Sequence, residues 1–244
     1  MIRTLTPPGG ALLGALVLAL ALVAGPAVAA VPQTIVVDGV NDFDAANLLE
    51  DDGGDTEESN FCGDDPEVDT PMDIKAVYVT NDANNLYIGF EYDRECFSSP
   101  QVNLGIAFSY GAAGDGGTTD PFSRKIAWNT ITDKPDNVVY AVLDGFNFEV
   151  FYQWNGTGWT DVQSGSDGLG IANDVGFEEL SLPLSLFTNG GITGLEANDE
   201  LKIELWMTQD GTSKPPLDAV ASDDVQTSTP SGTTFDVFDD PIEM

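Results

Sequence analysis

The run N-L-Y-I-G-F-E-Y, Asn85 to Tyr92, limits what this chain can fold into. Successive side chains of an extended strand point to opposite faces, so Leu86, Ile88, Phe90 and Tyr92 share one face, and Tyr87, Gly89 and Glu91 the other. Asn84-Asn85 suits a tight turn before it, so Val77 to Asp93 reads as a hairpin with one buried face. The same period recurs along the chain. V-N-L-G-I-A-F-S-Y turns Val102, Leu104, Ile106, Phe108 and Tyr110 inward, and F-N-F-E-V-F-Y-Q-W is expected to send Phe146, Phe148, Val150, Tyr152 and Trp154 to the core. L-K-I-E-L-W-M-T adds Leu201, Ile203, Leu205 and Met207. Further strands are expected at Thr34–Val37, Ile74–Thr80, Val138–Leu143, Glu178–Leu182 and Thr234–Phe238. No window carries a 3.6-residue repeat over three turns. Strand count and Gly, Asn, Asp and Pro turns predict an all-β fold, an antiparallel β-sandwich of jelly-roll or immunoglobulin-like kind with long acidic loops.

The first 29 residues stand outside this pattern. Arg3, the apolar run Ala11 to Ala24 and the small residues A-V-A at Ala27 to Ala29 have the layout of a secretory signal peptide. A membrane anchor is the alternative, but the run is short of the roughly 20 residues a span needs, and Gly25-Pro26 interrupts it. Residues 30–244 are then expected to form one secreted domain, extracellular or periplasmic, without membrane insertion. The chain has 41 acidic against 8 basic residues and a net charge of −33. Such a field repels nucleic acid and anionic lipid, so neither is expected as a partner. Solubility in salty surroundings accounts for most of the acidity; cation binding by some Asp clusters is the sharper alternative.

Three loops break the alternation: Asn47 to Pro71, Gly111 to Pro121 and Thr208 to Thr234. In an exported chain the two cysteines, Cys62 and Cys96, are expected to pair, tying the first loop down with about 3–4 kcal/mol of loop-closure stabilisation. With no histidine and only these cysteines, zinc and thiol–imidazole chemistry are not expected. Calcium is the one cofactor these loops could take: Asp115 and Asp120 in D-G-G-T-T-D, and Asp52 and Asp55 in E-D-D-G-G-D, offer the oxygen ligands it needs. The competing reading is that such Asp-Gly runs are ordinary turns. Asn155-Gly-Thr157 is a glycosylation-type sequon and signals a surface turn.

Parity places Trp206 on the face opposite Leu205 and Met207, beside Lys202 and Glu204, and places Phe151 beside Glu149 and Gln153. An aromatic ring on a polar strand face can stack on the C–H face of a sugar, while neighbouring carboxylates and amides bind its hydroxyls. Gly89, Gly105 and Ala107 would leave a shallow groove beside them. Alternatively, a long loop covers Trp206 and Phe151, and both belong to a satellite core.

I-V-V-D-G-V-N-D-F, Ile35 to Phe43, followed by D-I-K-A-V-Y-V-T-N-D-A-N-N-L-Y-I-G-F, Asp73 to Phe90, resembles the secreted β-sandwich modules related to family 9 carbohydrate-binding domains. These include the domains appended to glucodextranase-type enzymes and, more distantly, the DOMON group. The shared pattern is an Asp-Gly near the mature start, then an Asp-bearing turn with Leu-Tyr-Ile entering the next strand. The resemblance implies a sandwich that holds a polysaccharide or cell-surface glycan. The tryptophan that relatives often carry after the first Asp-Gly is missing from D-F-D-A-A-N-L-L, so no sugar-contacting residue carries over. The histidine that can ligate haem in DOMON proteins is missing too, and haem is not expected. Carboxylates abound, but none sits in a catalytic motif such as G-x-S-x-G, so a stand-alone hydrolase is not expected. The expectation is an exported, non-catalytic carbohydrate-binding module; the alternative is a secreted structural or surface-interaction protein with no sugar ligand.

Overall fold

The computed structural model describes residues 31–51, 72–94, 102–110, 116–128, 134–142, 147–164, 170–174, 176–187, 201–209, 211–213, 216–220 and 242–243. Within them lie β1 (Leu48–Asp51), β2 (Met72–Asn81), β3 (Asn85–Arg94), β4 (Val102–Ser109), β5 (Asn137–Val142), β6 (Asn147–Trp154), β7 (Trp159–Ser164), β8 (Gly170–Asp174), β9 (Phe177–Pro183), β10 (Lys202–Gln209), β11 (Pro216–Ala219) and β12 (Ile242–Glu243). One sheet runs β1-β2-β3-β9-β8; the other, seven-stranded, runs β11-β10-β4-β5-β6-β7, with β12 on β10 as well. All these pairings are antiparallel. The expected antiparallel sandwich is the fold.

The main core lies between the sheets. Leu86, Ile88 and Phe90 of β3 and Leu180 and Leu182 of β9 meet Leu104, Ile106 and Phe108 of β4 and Ile203, Leu205 and Met207 of β10. In β2, Ile74 pairs with Tyr92 and Val77 with Phe90, and the register shifts between them at Lys75. That extra residue lets Ile74 and Val77, three apart, both face the core, as a β-bulge does. Asp218 of β11 stitches the layers together: its Oδ2 accepts the Ile74 N–H of β2 at 2.6 Å, and its Oδ1 the Ala219 N–H at 2.9 Å.

Asp82 builds the turn of the β2–β3 hairpin. Its Oδ1 accepts the N–H groups of Asn84 (2.8 Å) and Asn85 (2.9 Å), and its Oδ2 accepts the hydroxyls of Tyr87 (2.8 Å) and Thr34 (3.1 Å). Led by the Asn84 N–H, these donors favour the charged form and lower the Asp82 pKa from 3.8 to about 2. A group lowered on folding stabilises above its unfolded pKa, and that contribution is lost as pH falls through the folded one. Wild type should therefore lose stability between pH 4 and pH 2 more steeply than Asp82→Asn. Acid unfolding of both proteins, with an NMR titration of the Asp82 carboxyl, checks this; a midpoint near 4 would contradict it.

Thr34 to Val37, expected as a strand, is instead part of a strap, residues 31–44, that crosses the outer face of the five-stranded sheet. Ile35 and Phe43 of the strap bury themselves against Tyr87 and Phe177. The Glu179 Oε2 accepts the N–H groups of Asp38 (2.9 Å) and Gly39 (2.8 Å) at the Asp-Gly noted above. Strands β1 and β11 lie inside segments expected to be loops, and Thr234–Phe238 is outside the described residues. These edge strands have four residues each, too few to display a period.

Candidate aromatic face

The described part of the second long loop, residues 116–121, is not an open site. Residues 116–128 form a small looped cover on the outer face of the seven-stranded sheet, closed by the Thr119–Ala127 bridge and by the Trp128 N–H donating to the Thr118 carbonyl at 3.0 Å. Its Ile126 and Trp128 pack on Tyr140 of β5 and Trp206 of β10 as a second core. The Trp206 ring meets Trp128 at 6.1 Å and Tyr140 at 5.8 Å between centroids.

This arrangement corrects the expected platform. Trp206 does point away from the main core, as parity required, but the cover buries it completely. Of the neighbours expected with it, Glu204 is buried and only Lys202 is partly exposed. Phe151 is on the other face. It pairs with Val139, while Phe148, three residues earlier, pairs with Ala141, and Val139 and Ala141 both belong to the main core. The register shift between these pairs makes Glu149 part of a bulge, and the extra residue reverses the parity of everything after it. Phe151 is therefore inward and fully buried with Phe187, and Gln153, also buried, pairs with Asn137. Tyr152 and Trp154, expected inside, face out. The Glu149 side chain is outside the described residues, as are Asp52, Asp55, Asp115, Cys62 and Cys96.

The predicted groove is filled as well. A Cβ on Gly105 would run into the Trp206 ring, and one on Gly89 into Phe43 and Phe177. The glycines do clear space, and aromatic rings from other segments occupy it.

Asp120 is a turn-former. Its Oδ2 accepts the N–H groups of Phe122 (2.8 Å) and Arg124 (2.9 Å), and its Oδ1 accepts the Tyr140 hydroxyl. The Arg124 guanidinium lies 4.0 Å from the Tyr140 ring centroid and 4.6 Å from that of Phe122, a stacked cation inside the cover. Burial raises the Asp120 pKa despite these donors, and burial raises the Tyr140 hydroxyl well above its ordinary value. Burial likewise raises Glu179 against the pull of the Gly39 and Asp38 N–H groups. Asp82, Asp120 and Glu179 thus all serve backbone turns. Among the described residues no cluster of three or more Asp, Glu, Cys or His side chains is placed to hold a metal ion, and no helix is long and apolar enough to cross a membrane.

What stays partly exposed on this face is a strip formed by Phe122 of the cover and Tyr152, Trp154 and Trp159 of the β6–β7 hairpin. Trp154 and Trp159 are cross-strand partners at the end of the β6–β7 hairpin, 5.5 Å apart between centroids. Phe122 meets Tyr152 at 5.3 Å. The Trp159 Nε1 donates to the Thr119 carbonyl at 2.6 Å, which leans the indole on the cover. The hairpin turn is held by Asn155, whose Oδ1 accepts from the N–H groups of Thr157 and Gly158, both at 3.1 Å. The signal for this pair stood in the sequence: W-N-G-T-G-W sets two tryptophans symmetrically about a Gly-rich turn. No family model matches the chain, and a search of curated proteins finds no match to it.

Proposed function

We propose that this protein is an exported, non-catalytic module that binds a glycan on the outer face of its seven-stranded sheet, along the strip Phe122, Tyr152, Trp154 and Trp159. One observation carries the reading. Of the chain's four tryptophans, Trp128 and Trp206 are fully buried, while Trp154 and Trp159 sit together at the surface with a tyrosine and a phenylalanine beside them. Partly buried rings of this kind are held in place by the second core and still offer stacking area to sugar C–H faces. The exposed Asp161, paired with Tyr152, and the Asn155 turn supply hydrogen-bonding groups at the rim. The resemblance of the Asp-Gly and Asn-Asn-Leu-Tyr-Ile segments to carbohydrate-binding sandwiches supports the same reading.

A glycan array probed with the protein tests it. Trp154→Ala should weaken binding by about tenfold or more, roughly 1.4 kcal/mol, with little change in melting temperature. Full binding by this variant would overturn the strip as the contact surface. Binding to no glycan at all would leave the second reading, a surface-interaction protein. The exposed aliphatic side chains of Val31, Val36, Val40 and Leu48 on and beside the strap favour that one.

A further inference from the structure

We infer that the ligand of this strip is a single uncharged glycan chain in solution, not the flat face of a crystalline polysaccharide and not an acidic polymer; the inference rests on the glycan-binding reading above. The ring angles carry the first half. A flat polysaccharide surface is met by rings lying in one plane, because each must stack at the same time. Here the Trp154 and Trp159 planes are inclined at 70°, and those of Phe122 and Tyr152 at 84°. Trp159 also stands at 68° to the buried Trp128 that backs it. Any plane lying flat on one ring meets its neighbour edge-on, so the strip offers corners, each with one ring as floor and another as wall. A corner of this kind fits one sugar ring of a separate chain.

The positions of these rings are set by packing. Trp159 sits over Gly117, where a side chain would collide with the indole, and its Nε1 is held by the Thr119 carbonyl. Rotation of Trp159 into the plane of Trp154 would break that bond and lift it from the cover. At the tip of the hairpin, nothing lies within 4 Å of where a Cβ of Gly158 would be, so the turn beside the corner is open at that point.

Charge carries the second half. The chain's net charge is −33, and the exposed Asp161 is the cross-strand partner of Tyr152 within the strip. Uronate or sulfate groups brought here would meet the like charge of the chain as a whole, which uncharged sugars do not.

Affinity electrophoresis and pull-down separate the alternatives. The protein is run through gels containing mixed-linkage β-glucan, xyloglucan, glucomannan or soluble starch, then through alginate or polygalacturonate, and is mixed with microcrystalline cellulose and α-chitin powders. Retardation by at least one neutral soluble polymer is expected, reduced about tenfold in Trp154→Ala and in Trp159→Ala, with no retardation by the acidic polymers and no depletion by either powder. Depletion by a powder, or retardation by an acidic polymer, that needs Trp154 overturns the inference and leaves the glycan-binding reading standing. Absence of binding to every probe overturns both.

Discussion

Trp206→Ala is expected to cost about 3–5 kcal/mol of folding stability, the scale for emptying a fully buried tryptophan site. The ring fills the space over Gly105, packs on Tyr140 and Trp128, and is backed by Ala107, Val138 and Ala219. Its removal leaves a cavity between the seven-stranded sheet and its cover, with no small rearrangement to close it, because the cover is fixed at its own ends by hydrogen bonds to Pro135 and from Ser213. Denaturant unfolding at constant salt measures the loss. A change below about 1 kcal/mol would mean that the ring is at the surface.

Asp120→Ala should be nearly as severe, about 3–5 kcal/mol, for a different reason. The substitution strips the acceptor from two backbone N–H groups and from the buried Tyr140 hydroxyl, and removes the carboxylate beside the buried Arg124. Asp120→Asn keeps acceptor capacity and should lose less. The pH dependence distinguishes burial from simple loss of contacts. Because burial holds the Asp120 pKa above 3.8, the folded state binds its proton more tightly than the unfolded state does. Its contribution therefore falls as pH rises from near 4 through the raised value, opposite in sign to that of Asp82, and is absent in Asp120→Asn.

Where a strand is regular, its faces were legible from alternation alone: β3, β4 and β10 bury the side chains that parity assigns. Parity failed in β6 because a bulge is one unmarked residue. Nothing in F-N-F-E-V-F-Y distinguishes Glu149 as extra, and every residue after it was placed on the wrong face. The Gly105 groove failed for another reason. The missing side chain is local and visible, but the Trp206 ring that fills its place comes from a strand about a hundred residues away in sequence. Likewise Gly111 to Pro121 reads as a loop because its polar turn residues are local, while the partners of Gly117 and Asp120, the Pro135 carbonyl and the Tyr140 hydroxyl, are not. The tryptophans flanking Asn155-Gly-Thr-Gly158 were readable as a hairpin pair. What hid their exposure was the same misassigned parity, which sent Trp154 inward.

The strap fastened by Glu179 also sets an order of events. Asp38 and its acceptor are 141 residues apart in sequence, and the Ile74 to Asp218 stitch spans 144. The strap can meet the β2–β3 hairpin early, through Gln33 on Asn81 and Thr34 on Asp82, but its fastening by Glu179 must wait until β9 has joined β3. Closing loops of that length precedes any reward from the contacts they make, which slows folding of such topologies. The strap is thus made early and fastened late, and only with Glu179 and Phe177 of β9 in place is its Asp-Gly turn held.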